Sequence, residues 1–208
     1  MSRSLHTDPY PLRAARRTAA PYRRRIDEPR VTRTATGNSG GSSARVQVRV
    51  CPPRPGFVHP AGVNDITGLL AFFGPAAAYG LRRVELRQRF GGDRPEMLIA
   101  GLKVPGVVVL FELPSPPWTV AGRLPAHSSQ RLRRAGALIR IGTAGTRIDW
   151  PGETLRDFVL FDGLMHEIGH HAIQHDRGKT TARVMRTADH ERRADAFAAA
   201  CRQAWTAR

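Results

Sequence analysis

From Pro151 to the C-terminus the apolar residues recur at helical spacing in two runs, and this pattern most narrows what the chain can build. In the first run, residues 153–177, one helix face carries Thr154, Leu155, Phe158, Phe161, Met165, Ile168 and Ala172. Gly178 is placed to end that helix, because a residue just past a helix end often needs a positive φ. The second run starts at Thr187 or Asp189 and reaches about Trp205, with Ala194, Phe197, Ala198, Cys201 and Trp205 as its stripe. Two helices with one apolar face each and a short link between them pack on one another.

Shorter patterns precede this pair. Val46, Val48 and Val50 alternate with Gln47 and Arg49, which is strand spacing, and Pro52, Pro53 and Pro55 stop the strand. Asn64-Asp65 resembles a cap for a short helix over 66–73, ended by Gly74-Pro75. Residues 81–90 alternate again, Val84, Leu86 and Phe90 against Arg83, Glu85, Arg87 and Arg89, before a Gly91-Gly92-Asp93 turn. Further strands are expected over 97–102 and 107–113, the second buried by its Val-Val-Val-Leu-Phe run. A short helix follows over 128–135, then a hairpin of 137–141 and 146–150 around Gly142 and Gly145. The expected fold is α+β: a small, mostly antiparallel sheet packed on the C-terminal helix pair, in one domain over 46–208.

Residues 1–45 read as a disordered Arg-rich arm with a Gly/Ser linker at its end. The arm holds ten Arg against three acids, Asp8, Asp27 and Glu28, with too few apolar residues to offset the entropy of ordering. The whole chain carries 33 Lys+Arg against 17 Asp+Glu, and only Lys103 and Lys179 are lysines. Such an excess suits nucleic acid or an acidic partner, and equally a solvated surface. A hydrophobic fraction of 41% excludes full disorder. The apolar runs are far shorter than the roughly 20 residues of a membrane-spanning helix. Neither a signal peptide nor a disulfide framework is expected, since Cys51 and Cys201 are the two cysteines. A cytoplasmic protein with no membrane span is the expectation.

The chemistry lies in the two C-terminal helices. His166-Glu-Ile-Gly-His170 places two imidazoles at i and i+4, on one helix face, where they can hold a divalent metal, typically zinc. Glu167 is within reach of a water activated by that ion. An open zinc site takes a third protein ligand. In the second helix Glu191 and Asp195 stand one turn apart beside Ala194 and Ala198. Acids beside a packing face are costly unless paired or metal-bound. The His pair lies about 15 Å of helix before Gly178, and Glu191 about 6 Å after Thr187. The linking segment can absorb that roughly 9 Å offset, so Glu191 can reach the His pair. Asp195 would then accept a hydrogen bond from the far nitrogen of His166 or His170. Alternatively it pairs with Arg192 or Arg202. Gly169 is expected to let a neighbouring element approach closely. His171 and His175 form another i, i+4 pair, read as solvated or carboxylate-paired, with a second metal as the alternative.

These elements, His166-Glu-x-x-His170 and Glu191-x-x-Ala-Asp195, resemble those of the gluzincin zinc metallopeptidases. The second motif is similar to that of the HtpX and CAAX-prenyl-protease group. The close spacing without membrane helices looks more like compact ImmA/IrrE-type or minimal gluzincin domains. The resemblance covers the C-terminal helix pair and implies a zincin-like fold. It implies one zinc ion per chain on His166, His170 and Glu191, Glu167 as general base, and Asp195 orienting a ligand. His190 and Tyr79 are the available oxyanion stabilisers. The implied activity is hydrolysis of a protein or peptide substrate, with residues 81–90 or 107–113 aligning it as an added strand.

Two further readings stand beside this one. In one, the chain is a catalytically silent gluzincin-like binding protein. Its basic arm, or the Arg-rich stretch between Glu112 and Asp149, would engage nucleic acid or an acidic protein. In the other, it is an immunity- or toxin-associated protease that cuts one protein. A site of two His and one carboxylate also accepts manganese or iron.

Overall fold

The computed structural model describes residues 46–78, 80–89, 99–104, 106–176 and 187–208, except the side chains of Ala76, Lys103, Val104, His175 and Asp176. The arm over 1–45, Tyr79, Gly178 and the Gly91-Gly92-Asp93 turn lie outside the described residues, as do Phe90 and the start of the 97–102 strand.

The described residues are α+β, with three small sheets rather than one. The largest has strand order β1-β3-β5-β4, made of β1 (Gln47–Val50), β3 (Arg83–Arg87), β5 (Val107–Phe111) and β4 (Ala100–Val104). A two-stranded ribbon pairs β2 (Phe57–Val58) with β6 (Leu113–Pro114). The third sheet has order β7-β9-β8, from β7 (Trp118–Val120), β9 (Gly145–Asp149) and β8 (Leu138–Gly142). The two smaller sheets are antiparallel throughout.

The largest sheet departs from the antiparallel expectation. Its β1–β3 and β3–β5 pairings are parallel, and only β4–β5 is antiparallel. The reason is the connection. Between β1 and β3 runs helix α1 (Val63–Ala78), and a parallel neighbour needs such a crossover of a dozen or more residues. The sequence pattern anticipates β1, β3 and β5 but not β2 or β7, and the helix expected over 66–73 runs from Val63 to Ala78, with a kink at Gly74, whose φ is 72°, ahead of Pro75.

Strand order also overturns two expectations about surfaces. Residues 81–90 and 107–113 contribute β3 and β5, both flanked on each side by other strands. Neither can accept an added strand. The edges belong to β1 and β4, and β4 lies against the helix that carries the His pair. Nor does β3 alternate between core and solvent. Val84, Glu85 and Leu86 are all buried, because a central strand is covered on both faces. Glu85 is accommodated there by ion pairs to Arg83 at 2.6 Å and Arg87 at 2.7 Å.

Another buried acid ties the loop after β1 to the sheet. Glu112 is fully buried and accepts hydrogen bonds from the Arg54 backbone N–H at 2.8 Å, from the Arg54 guanidinium, and from the Arg89 N–H at 3.3 Å. Burial pushes this carboxyl up, but those donors outweigh it and hold its pKa below the ordinary value. The ionised form is therefore favoured by folding. Its contribution is fully present above the unfolded carboxylate range, near 4.3, and is lost as pH falls through the lower folded value. Glu112→Gln should lower the unfolding free energy by about 1–3 kcal/mol at pH 7, and urea melts should show that gap narrowing in strong acid. An equal gap at both pH values would exclude the ionised carboxylate as its source.

The C-terminal half contains α2 (Ala126–Arg134), α3 (Thr154–Phe158), α4 (His166–Asp176) and α5 (Ala188–Thr206). The expected single helix over 153–177 is interrupted: Val159–Met165 is a π-helical segment between α3 and α4. Here i→i+5 bonds widen the turn, and the sequence offers no polar face to preserve. Every residue from Val159 to Met165 is buried except Asp162. Asp162 accepts from the Arg202 guanidinium, and its backbone carbonyl accepts from Arg131 at 3.1 Å. Gly163 lies on the main sheet, where an added Cβ would sit 3.6 Å from the side chains of Ile99, Ala100 and Leu110. Phe158 stacks on Trp150, which stacks on Trp118, joining the third sheet to the same core. Among the described residues, no helix is long and apolar enough to cross a membrane.

Candidate metal centre

Two local devices place the site. An i, i+4 pair inside one α-helix shares a face whatever precedes it, and His166 and His170 both fall in α4. Thr187 caps α5, its Oγ1 accepting from the His190 backbone N–H at 3.3 Å, which sets where the first turn of that helix begins. Glu191 follows in that turn.

Close helix packing brings the two devices together. Ala194, Ala198 and Cys201 are buried on α5, with Phe197 and Trp205 partly so, as the stripe predicts. At the crossing, Gly169 meets Ala194. A Cβ on Gly169 would lie 3.0 Å from the Ala194 Cα, 3.3 Å from its carbonyl oxygen and 3.3 Å from the Phe197 ring. Gly169→Ala would gain about 1 kcal/mol of helix propensity, but the nearest obstruction is backbone and cannot rotate away. Overpacking of about 1–3 kcal/mol should win. The variant should melt lower and bind zinc at least about tenfold more weakly. A higher melting temperature with unchanged zinc affinity would show that the approach is looser.

The side chains then converge. His166 Nε2 and His170 Nε2 lie 3.1 Å apart, with Glu191 Oε2 at 3.3 Å and 3.2 Å from them respectively. Four ligands arranged tetrahedrally at zinc–nitrogen or zinc–oxygen distances place neighbouring ligand atoms about 3.3 Å apart. The three edges fit one small divalent ion. Among the described residues this is the one group of three or more His, Cys, Asp or Glu side chains able to hold a metal.

Asp195 sharpens the fit. Its Oδ1 lies 2.9 Å from His166 Nδ1, so it accepts the proton of that nitrogen. With Nδ1–H committed, neutral His166 presents a lone pair at Nε2, facing the Glu191 carboxylate. Those two atoms at 3.3 Å need a proton or a metal ion between them. The arginines once open to Asp195 pair elsewhere: Arg192 with Asp189, and Arg202 with Asp162. Asp195→Asn should lower zinc affinity by about 10–100-fold, read by competition with a chromogenic chelator. Unchanged affinity would remove Asp195 from the site.

Exposure gives the centre a direction. The side chains of His166 and His170 are 13% and 5% exposed, those of Glu191 and Asp195 42% and 74%. Helix α4 makes the floor and the α5 carboxylates the open side.

The remaining sequence candidates differ in burial. Glu167 is buried. His190 is buried on the α5 stripe with Ala194, and Tyr79 lies outside the described residues. His171 is buried at 1% exposure, which corrects the solvated reading, and the His175 side chain is not among those described. One feature escaped the sequence reading. Glu167, His170, His171 and Gln174 are all buried at i, i+3, i+4 and i+7 spacing, a polar face turned inwards. The same 3.6-residue count that found the apolar stripes finds this polar face, but not that it turns inwards.

Comparison with protein-family models, with curated proteins and with solved structures gives no match for this chain.

Proposed function

We propose that this chain is a zinc-dependent metallopeptidase, with His166, His170 and Glu191 holding the ion and Glu167 as general base. The observation that carries the reading is the near-equilateral triangle of two imidazole nitrogens and one carboxylate oxygen, with Asp195 fixing the tautomer of one corner. A zinc ion there supplies Lewis-acid polarisation of a carbonyl and lowers the pKa of a water at neutral pH.

The protein's own groups do the rest. Asp195 keeps the His166 ring oriented and, in the neutral ring, holds the proton on Nδ1 so that Nε2 is the nitrogen offered to the ion. Glu167 follows directly on His166 in α4 and takes the proton as water oxygen adds to the scissile carbonyl carbon. When the C–N bond breaks, the same carboxyl gives that proton to the departing amine. The free side of β4, unpaired among the described residues and adjacent to α4, supports an extended peptide as the substrate. Both cysteines are free, in keeping with a cytoplasmic setting.

The test is to load the full chain with zinc and incubate it with a proteome-derived peptide library. Mass spectrometry would read new termini, with and without a chelator, beside Glu167→Gln. Cleavage that needs both zinc and Glu167 supports the reading. No cleavage difference between the loaded parent and the variant would overturn it.

A further inference from the structure

The third sheet ends in a strand edge with an unusual surround. Among the described residues β8 pairs with β9 on one side only, and in an antiparallel pair every second residue turns its N–H and C=O away from its partner. That edge carries two exposed apolar side chains, Leu138 at 49% and Ile141 at 56%. Natural sheets rarely leave such an edge with apolar side chains unless something pairs with it.

The charge around it has one sign. Arg133 and Arg134 are exposed at the end of α2, which leads through a short turn into β8. Arg140 on β8 and Arg147 opposite it on β9 have side chains 70% and 54% exposed. The only acid from 113 to 152 is Asp149, which lies 3.0 Å from Arg147 and 3.8 Å from Arg140. Two guanidiniums, Arg140 and Arg147, thus share the Asp149 carboxylate beside this strand edge, and Arg133 and Arg134 add positive charge from the end of α2.

We propose that the β8 edge is a docking site for an acidic, extended segment of a partner protein, which adds to the sheet as a fourth strand. Backbone bonds to β8 would give affinity, acidic side chains would answer the arginines, and Leu138 and Ile141, on opposite faces of the strand, would each meet an apolar side chain of the added strand on its own face. Other occupants fit less well. A second copy pairing through β8 would set Arg140 against a like-charged strand. The chain's own N-terminal arm is itself basic. Single-stranded nucleic acid would want exposed aromatic platforms, and Trp118 and Trp150 of this sheet are buried. The site is independent of the metal centre, and its test uses no hydrolysis.

The probe is a fluorescein-labelled peptide of alternating Glu and Val, read by anisotropy against the full chain at physiological ionic strength. A second peptide carries N-methyl groups on alternate residues, which keeps the charge and removes backbone donors. The expected result is binding of the first peptide and at least about tenfold weaker binding of the second. Arg140→Glu with Arg133→Glu should weaken the first peptide by a similar factor, while charge reversal at Arg16 and Arg17 in the arm should not. Both patch side chains are exposed, and Arg133→Glu alone serves if the pair lowers the melting temperature. Equal binding of both peptides would overturn the proposal, as would no binding, or loss of binding only with the arm variants. A duplex or single-stranded oligonucleotide binding more tightly, with the same dependence on Arg133 and Arg140, would assign the surface to nucleic acid instead.

Discussion

Glu191→Gln should lower zinc affinity by about 10²–10³-fold. The magnitude follows from structural zinc sites, where binding free energies of about 10–16 kcal/mol are shared among four ligands, or roughly 3–4 kcal/mol each. Glutamine keeps the shape of the side chain and removes its charge, so the lost term is ligation rather than packing. Glu191 is partly exposed, which leaves the metal-free fold nearly unaffected. The two effects separate in one experiment. Without zinc, parent and variant should melt together. With zinc at 100 times the parent's Kd, the parent should gain about 2.7 kcal/mol and the variant only a few tenths. Equal zinc in both would remove Glu191 from the ligand set, and a lower metal-free melting temperature would mean that the carboxylate acts structurally. A chelator should reverse the parent's gain.

The second large effect is on rate. Glu167→Gln should reduce kcat by about 10²–10⁴-fold on any peptide the parent cleaves, the usual range for a general acid–base group, while zinc stays bound. Stability should move the other way. Glu167 is buried, and a buried carboxylate is costly even when it has partners, so the neutral isostere should melt at the same temperature or higher. A catalytic carboxylate predicts a dead enzyme that is no less stable. A structural one predicts a destabilised protein whose residual activity follows its folded fraction. Unchanged kcat would end the assignment of Glu167 as base.

Much of the candidate centre was legible because its parts are local. The spacing of His166 and His170 puts them on one face of any helix, and α4 is regular throughout that interval. The start of α5 was expected at Thr187 or Asp189, of which the structure makes Thr187 the cap, and the α5 stripe follows from periodicity. Even the meeting of Glu191 with the His pair followed from helix rise and link length, since an antiparallel helix pair has few registers. Gly169 was readable as a close approach because a glycine inside a helix carries a propensity cost that packing must offset.

Where the reading failed, the missing quantity was a neighbour. Glu85 sits in an alternating pattern that points it to solvent, but β1 and β5 flank its strand and both faces are covered. The run from Phe158 to Met165 was fitted to a single helical face. Its surroundings bury nearly all of it, and the backbone there is π-helical. Strands 81–90 and 107–113 were assigned a free edge that only strand order can award, and that order leaves it to β1 and β4.

The sequence by itself therefore determined the α5 stripe, the hairpin and the identity of the residues that converge at the candidate metal centre, because these depend on spacings along one element. Only the tertiary structure decided the parallel pairing of β1, β3 and β5, the choice of His166 over Arg192 and Arg202 as the partner of Asp195, and the inward turn of the polar face on α4. The physical reason is common to all three. Strand partners, ion-pair partners and burial are each settled by competition among groups distant in sequence, and no periodicity within one segment records its outcome.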